Sequence, residues 1–218
     1  MNTMLGVSIL LLSFTLLSGI FGNRLKYLAA YLPPQSSTYV DIKTFKRTPF
    51  FSDYLENDTF YDNIKFADIF ELPHGLKGFF DFDEGMSYAK EVNKPVLLDF
   101  TGHGCVNCRD IEARVWPDQR VRDILNNDYV LVSLYVDDKT VLPEENWYVS
   151  SYDGKVKKSI GRQNSDFQIS RFQNNAQPYY VVINPYSDQI ISPPWGYELN
   201  IEKYIDNLKK GIDAFYEN

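Results

Sequence analysis

The chain has 218 residues, 44% of them hydrophobic and 16% aromatic, which is enough for one domain with a substantial core. Its formal net charge of -7 argues against nucleic acid as a partner, because a phosphate-binding protein concentrates positive charge. The two cysteines, Cys105 and Cys108, are too few for a disulfide-scaffolded domain. A bond between them would close a very short loop and stabilise the fold little.

The first 23 residues contain no charged side chain, and the apolar run from Met4 to Phe21 is about the length that crosses a membrane. No Lys or Arg precedes this run and no small-x-small cleavage motif follows it, which disfavours a cleaved signal peptide. We therefore predict a transmembrane helix over residues 1–23. Arg24 and Lys26 would keep the following chain in the cytoplasm, unless this helix is the last of a larger membrane protein.

Residues 24–75 form a segment that becomes acidic and rich in aromatic side chains after Ser37. Pro33 and Pro34 end any continuation of the first helix. The aromatic residues between Phe50 and Phe70 are too numerous for a disordered tether. We predict a juxtamembrane segment that packs on a neighbouring structure.

Residues 76–218 show regular patterns of strands and helices. The predicted strands are LKGFFDF, PVLLDFTG, YVLVSLYVDD, PYYVVINP and QIISPPWG. The predicted helices are EGMSYAKEV (capped by Asp83), CVNCRDIEARVW, DQRVRDILNN, NSDFQISRFQ and NIEKYIDNLKKGIDAFY, and WYVSSYDGKVKKSI is a hairpin that turns at Asp153-Gly154. The order predicts an α/β domain whose mixed central sheet is flanked by helices.

The two cysteines lie where the buried strand ending near Thr101 gives way to a helix. A thiol in the first turn of a helix faces unpaired N–H groups and the positive end of the helix dipole, which favour the thiolate. The second cysteine, three residues later, lies on the same face and can close a disulfide. We predict Cys105 as the exposed attacking thiolate and Cys108 as the shielded resolving thiol, with Arg109 adding positive charge nearby.

A CxxC pair can also be half of a metal site. A structural zinc ion needs four ligands, and this sequence offers the two thiols with His74 and His103. The alternative function is therefore a soft-metal carrier, for copper or zinc, built from His103, Cys105 and Cys108. Otherwise His103 flanks the redox pair, where it tunes the thiolate or contacts partners, and His74 lies on the surface.

The stretch KPVLLDFTGHGCVNCRDIEARVW resembles the thioredoxin-like C-terminal domain of the DsbD family of thiol:disulfide interchange proteins. The resemblance runs from about Gly75 to the C-terminus, and the N-terminal apolar run is similar to the family's last membrane helix. It implies a reductase at the inner membrane, with its thioredoxin-like domain in the periplasm. Electrons would come from a membrane-embedded cysteine pair and pass to periplasmic disulfide proteins, including the cytochrome c maturation route, with no cofactor beyond the disulfide. An oxidase or isomerase on the same fold is the other alternative.

The resemblance also implies roles for residues outside the cysteine pair. Asp99 matches a buried acid that relays the proton of the resolving thiol, with a pKa raised by desolvation. Glu112, one helical turn after Cys108, matches a second acid that modulates the pair. Pro178 matches a cis-proline that exposes the backbone of Gln177 to a docked partner strand.

Overall fold

A five-stranded mixed sheet organises the described part of the chain, which comprises residues 6, 13 and 64–217 of the computed structural model. Its strands are β1 (Gly78–Phe79), β2 (Val96–Thr101), β3 (Val130–Tyr135), β6 (Tyr179–Asn184) and β7 (Gln189–Ile190), while β4 (Tyr148–Val149) and β5 (Val156–Lys157) pair separately. The spatial order is β1-β3-β2-β6-β7. Strands β1, β3 and β2 run parallel to one another. Strand β6 pairs antiparallel with β2, and β7 pairs antiparallel with β6, so the sheet is mixed, as predicted.

Helices pack on both faces of this sheet. They are α1 (Phe82–Val92), α2 (Val106–Arg114), α3 (Gln119–Asn127), α4 (Ile160–Phe172) and α5 (Ile201–Tyr216). Side chains of α2, α3 and α5 form one core cluster with Leu97 of β2, and those of α1 and α4 form the other with Leu98 and Phe100. All six residues of β2 are buried because successive side chains enter opposite clusters.

Helix starts follow local side-chain chemistry, with one correction. Asp118, Ser159 and Asn200 cap α3, α4 and α5 by accepting backbone N–H bonds. The prediction that Asp83 caps the first helix is wrong, since Asp81 accepts the N–H of Glu84 and the helix begins at Phe82. The preceding strand ends at Phe79, before the predicted end at Phe82, so Asp81 lies beyond the strand and caps the helix.

The described part of the N-terminal segment, residues 64–75, packs on the sheet domain. Phe70 and Leu72 are each 5% exposed and belong to the larger core cluster. The Phe70 ring stacks on Tyr135 with centroids 4.4 Å apart. The packed unit therefore extends to the N-terminal side of the boundary predicted at residue 76.

The predicted transmembrane helix over residues 1–23 lies outside the described residues, apart from Gly6 and Ser13, and residues 24–63 lie outside them entirely. Within the described positions, no helix combines the length and the apolar character that a membrane crossing needs. The membrane anchor stays a prediction.

The predicted hairpin is present and is fastened to α4 by a buried carboxylate. Gly154 takes up a positive φ of 69° in its turn. Asp166, in α4, accepts hydrogen bonds from Tyr148 Oη at 3.0 Å and Ser150 Oγ at 2.5 Å. The ammonium group of Lys157 lies 3.3 Å from the same carboxylate. These contacts fix the hairpin against the domain.

Phe70→Ala tests whether residues 64–75 belong to the folding unit. Loss of this buried ring is expected to lower the free energy of unfolding by about 3–5 kcal/mol, measured by urea unfolding of the full chain. The neighbouring Ile69 is 38% exposed, so Ile69→Ala is the matched control and should change stability by less than about 1 kcal/mol. Equal small effects from both variants would show that the segment is not part of the cooperative unit.

Candidate active site

Cys105 and Cys108 are joined in a disulfide at the start of α2, with their Cα atoms 5.2 Å apart. Cys105 caps the helix, and its sulfur accepts the backbone N–H of Cys108 at 3.1 Å. After reduction the same N–H and the helix N-terminus would favour a thiolate at Cys105. Cys108 is 2% exposed, whereas Cys105 is partly exposed beside the exposed Val106 and Asn107. A partner can therefore reach Cys105 and not Cys108.

Asp137 holds the loop that leads into the disulfide. Its carboxylate accepts the backbone N–H groups of His103 and Gly104, each at 2.8 Å. A Cβ at Gly102 would lie 2.9 Å from this carboxyl group, so a side chain does not fit there. Nothing in the sequence pattern singled out Asp137. A signal existed, because Asp137 follows β3 closely and parallel strands end at the same edge of a sheet.

His103 lies at the rim of the site, with its side chain about half exposed (51%). Its Nε2 is 3.0 Å from Oδ2 of Asp138, and its ring centroid is 4.8 Å from that of Tyr135 and 5.9 Å from that of Phe70. Burial raises the pKa of Asp138, but hydrogen bonds from Thr140 and His103 outweigh this effect and leave that pKa below its usual value.

The alternative metal site finds no support in the residues that are described. The sulfur atoms of Cys105 and Cys108 are bonded to each other, and His103 contacts Asp138. Across residues 64–217, no three His, Cys, Asp or Glu side chains are grouped so as to hold a metal ion.

Two buried acids lie on β2 and α2, the elements on either side of the cysteine loop. Asp99, on β2, is 2% exposed and accepts a hydrogen bond from Ser133 Oγ at 3.0 Å. Burial raises the pKa of Asp99 to about 6, opposed by this hydrogen bond and by the charge of Arg109. Glu112, on α2, is 7% exposed, and burial raises its pKa to about 8, opposed by Arg109 and reinforced by the charge of Asp99. Each acid therefore influences the ionisation of the other.

Arg109 is buried between the cysteine helix and the central strand. Its Nη2 lies 2.6 Å from Oε1 of Glu112 and donates to Thr101 Oγ1 at 3.1 Å. Only 6% of the residue is exposed. The sequence indicated a positive charge near the thiols, and the structure shows that this charge lies inside the protein, where low dielectric strengthens its effect.

Gln177 and Pro178 bring the opposite wall to the disulfide. The Gln177–Pro178 peptide bond is cis, as the family resemblance implied. Gln177 lines a shallow groove together with Cys105, Val106 and Asn107. It precedes β6, whose ladder begins at Tyr179, and its side chain donates to the carbonyl of Asn175 at 2.7 Å. The role of Gln177 in docking a partner strand stays a prediction.

The prediction that His74 is an ordinary surface residue is wrong. His74 lies in a short 3-10 turn, Pro73–Gly75, and its Nε2 is 2.6 Å from the carbonyl oxygen of Glu112. This contact ties the N-terminal segment to α2 across 38 residues of sequence, a distance over which local patterns carry no information.

Residues 78–185 match a protein-family model described as thioredoxin-like. This segment is a thioredoxin-like domain. Its mixed sheet, its flanking helices and its close cysteine pair at the start of α2 agree with that assignment. Comparison with curated protein sequences gives no match.

Solved structures similar to the thioredoxin-like domain include three proteins of 15–18% sequence identity. A DsbH oxidoreductase has 15% identity and a TM-score of 0.46, over 66% of this chain and 92% of its own. A thioredoxin from Thermus thermophilus has 16% identity and a TM-score of 0.45, and the match covers 62% of this chain and 86% of the thioredoxin. A disulphide isomerase from Xylella fastidiosa Temecula1 has 18% identity and a TM-score of 0.36, and the match covers 62% of this chain and 86% of the isomerase. Similarities this low do not transfer an activity, which has to be inferred from the site.

Asp99→Asn tests the burial of the acid through the pH dependence of stability. Because the folded-state pKa is raised to about 6, the neutral acid stabilises the fold fully below the unfolded pKa, and this contribution is lost as pH rises through 6. An amide stays neutral and keeps an acceptor for Ser133. Relative to wild type, the variant should gain about 3 kcal/mol at pH 8 and little at pH 4, measured by urea unfolding of the oxidised protein.

The exposed Asp68→Asn controls for the loss of one surface charge in this comparison. A difference between Asp99→Asn and wild type that is the same at pH 4 and pH 8 would contradict a buried acid with a raised pKa.

Proposed function

We propose that the protein is a thiol:disulfide oxidoreductase that reduces the disulfides of partner proteins. The observation that carries this proposal is the difference in exposure between the two cysteines. Cys105 is accessible and its sulfur accepts a backbone N–H, while Cys108 is buried and lies four residues before the buried acid Glu112 on the same helix. An accessible nucleophile and a shielded resolving thiol are what a two-step exchange requires.

The reaction begins with the reduced pair. The Cys105 thiolate attacks one sulfur of the partner disulfide, which forms a mixed disulfide and releases the first partner thiolate. Cys108 then gives its proton to the buried acids, with Asp99 as the acceptor, and its sulfur attacks Cys105. The second partner thiolate leaves, two electrons have passed to the partner, and the Cys105–Cys108 disulfide is restored.

Docking of the partner would use the groove between Cys105 and Gln177. The backbone of Gln177 lies just before the β6 ladder, so an extended partner segment can pair there and bring its disulfide to Cys105. His103, at the same rim, is in a position to contact the bound segment.

The proposed setting is the inner membrane, with residues 1–23 as the anchor and the domain in the periplasm. The uncharged N-terminal run and the resemblance to the DsbD family support it. The 218 residues contain no second cysteine pair, so re-reduction requires a dithiol donor, which we propose is a membrane-embedded cysteine pair. The partners would be periplasmic disulfide proteins, including those of the cytochrome c maturation route.

Cys108→Ala tests the exchange reaction, because it removes the thiol that resolves the mixed disulfide. We expect this variant to accumulate covalent complexes with partner proteins in cells, seen as bands that disappear on reduction. Cys105→Ala and the double variant are the matched controls and should trap nothing. An absence of complexes through Cys105 would refute the proposed function.

The trapped partners also report the direction of electron flow. If the protein is a reductase, its deletion leaves these partners more oxidised, as measured by alkylation of free thiols. Partners that become more reduced on deletion would instead identify an oxidase.

The proposed topology is tested by fusing alkaline phosphatase, which is active only after export, to the C-terminus. We expect high phosphatase activity and retention in the membrane fraction, and release from the membrane when residues 2–23 are replaced by a cleavable signal peptide. The same fusion without residues 2–23 and without a signal peptide is the control and should be inactive. An inactive full-length fusion would place the domain in the cytoplasm.

A further inference from the structure

Arg109 is the cation of a buried cluster of ionisable groups beside the resolving cysteine. It follows Cys108 directly in α2, and its guanidinium group bridges Glu112 on the same helix and Thr101 at the end of β2. Arg109 and Glu112 are 6% and 7% exposed, so water screens this ion pair little.

Several elements contribute to the cluster. Asp99 of β2, Tyr135 of β3, Tyr180 of β6 and Tyr204 of α5 all interact electrostatically with Glu112 or Arg109. Burial raises the pKa of Tyr135 to about 12 and raises those of Tyr180 and Tyr204 as well, so the three phenols stay neutral. The charge among these groups therefore depends on the two acids and on Arg109, and the His74 ring touches the cluster at the backbone of Glu112.

Two carboxyl groups in one buried cluster cannot both ionise without compensation, because each charge is desolvated and repels the other. The guanidinium group lies 2.6 Å from Glu112 and also lowers the pKa of Asp99, against the effect of burial on both. With Arg109 in place, one acid can be ionised and receive a proton. Without it, the pKa of each acid would rise further, and a smaller fraction of the pair would be ionised at neutral pH.

We propose that Arg109 is a positioning residue that keeps the Asp99–Glu112 pair ready to accept the proton of Cys108 during resolution of the mixed disulfide. This inference rests on the proposed exchange function. The Cys108 proton moves to the ionised carboxylate, the Cys108 sulfur bonds to Cys105, and the Cys105–partner bond breaks to release a partner thiolate. The donor dithiol that re-reduces the pair is the co-reactant.

The test measures how pH controls the release of a cysteine peptide from a preformed mixed disulfide with Cys105. Removing the charge in Arg109→Gln or Arg109→Met should move the midpoint of the pH–rate profile up by about one unit, so that release below the midpoint is about tenfold slower. Arg109→Lys keeps the charge and should restore most of the rate. Arg114→Gln, an exposed arginine of the same helix, is the matched control and should match wild type.

A second readout does not depend on exchange activity. Carbon-13 NMR of the oxidised full chain follows the titration of the Asp99 and Glu112 carboxyl groups, and both midpoints should rise in Arg109→Gln and Arg109→Met. The Met variant buries no unpaired amide. If the Gln variant does not fold, the same rise in both carboxyl midpoints is expected in the Met variant.

Unchanged midpoints in a destabilised charge-removing variant would overturn the inference, because Arg109 would then only join α2 to β2. Equal shifts in the Lys and Gln variants would also overturn it, since the lost hydrogen-bond geometry and not the lost charge would be the cause. If wild type releases no peptide, the exchange function fails, while the carboxyl titrations still decide the role of Arg109.

Discussion

The burial of β2 on both faces is the constraint on which the site depends. A strand covered on both sides has no solvent-facing residue, so a carboxyl group at Asp99 must be accommodated inside the protein. The same strand ends at Thr101 and passes the chain directly to the cysteine loop. The acid is therefore placed by the architecture at a fixed distance along the chain from the thiols, and its raised pKa follows from that position.

The loop between β2 and α2 is held in place by side chains that follow the neighbouring strand, β3. Asp137 binds two successive N–H groups of this loop, and Asp138 contacts His103. Gly161, at the start of α4, lies so close to this turn that a Cβ would be 2.4 Å from the backbone nitrogen of Asp138. The redox pair is thus supported by a turn that itself packs closely against the start of α4.

Local sequence patterns were sufficient for most of the fold. The continuous apolar run of β2 and the Asp153-Gly154 turn each have a physical signature within a few residues. The cysteine pair could be identified for the same reason, whereas Asp99 was singled out by the family resemblance. The contacts of Asp137 and His74 did not follow from local patterns, because each joins two segments more than 30 residues apart; for Asp137 the available signal was its place just after a parallel strand.

The packing of residues 64–75 has a mechanical consequence. Phe70 stacks on Tyr135 and His103, and His74 contacts the backbone of Glu112 inside the cysteine helix. A pulling force applied to the chain before residue 64 would therefore act first on the Lys65 contacts with Asp81 and Glu84, then on those of Phe70 and His74, and only later on the central strands. If residues 1–23 are a membrane anchor, as proposed, tension in the linker would be transmitted through His74 to the helix that carries the cysteines.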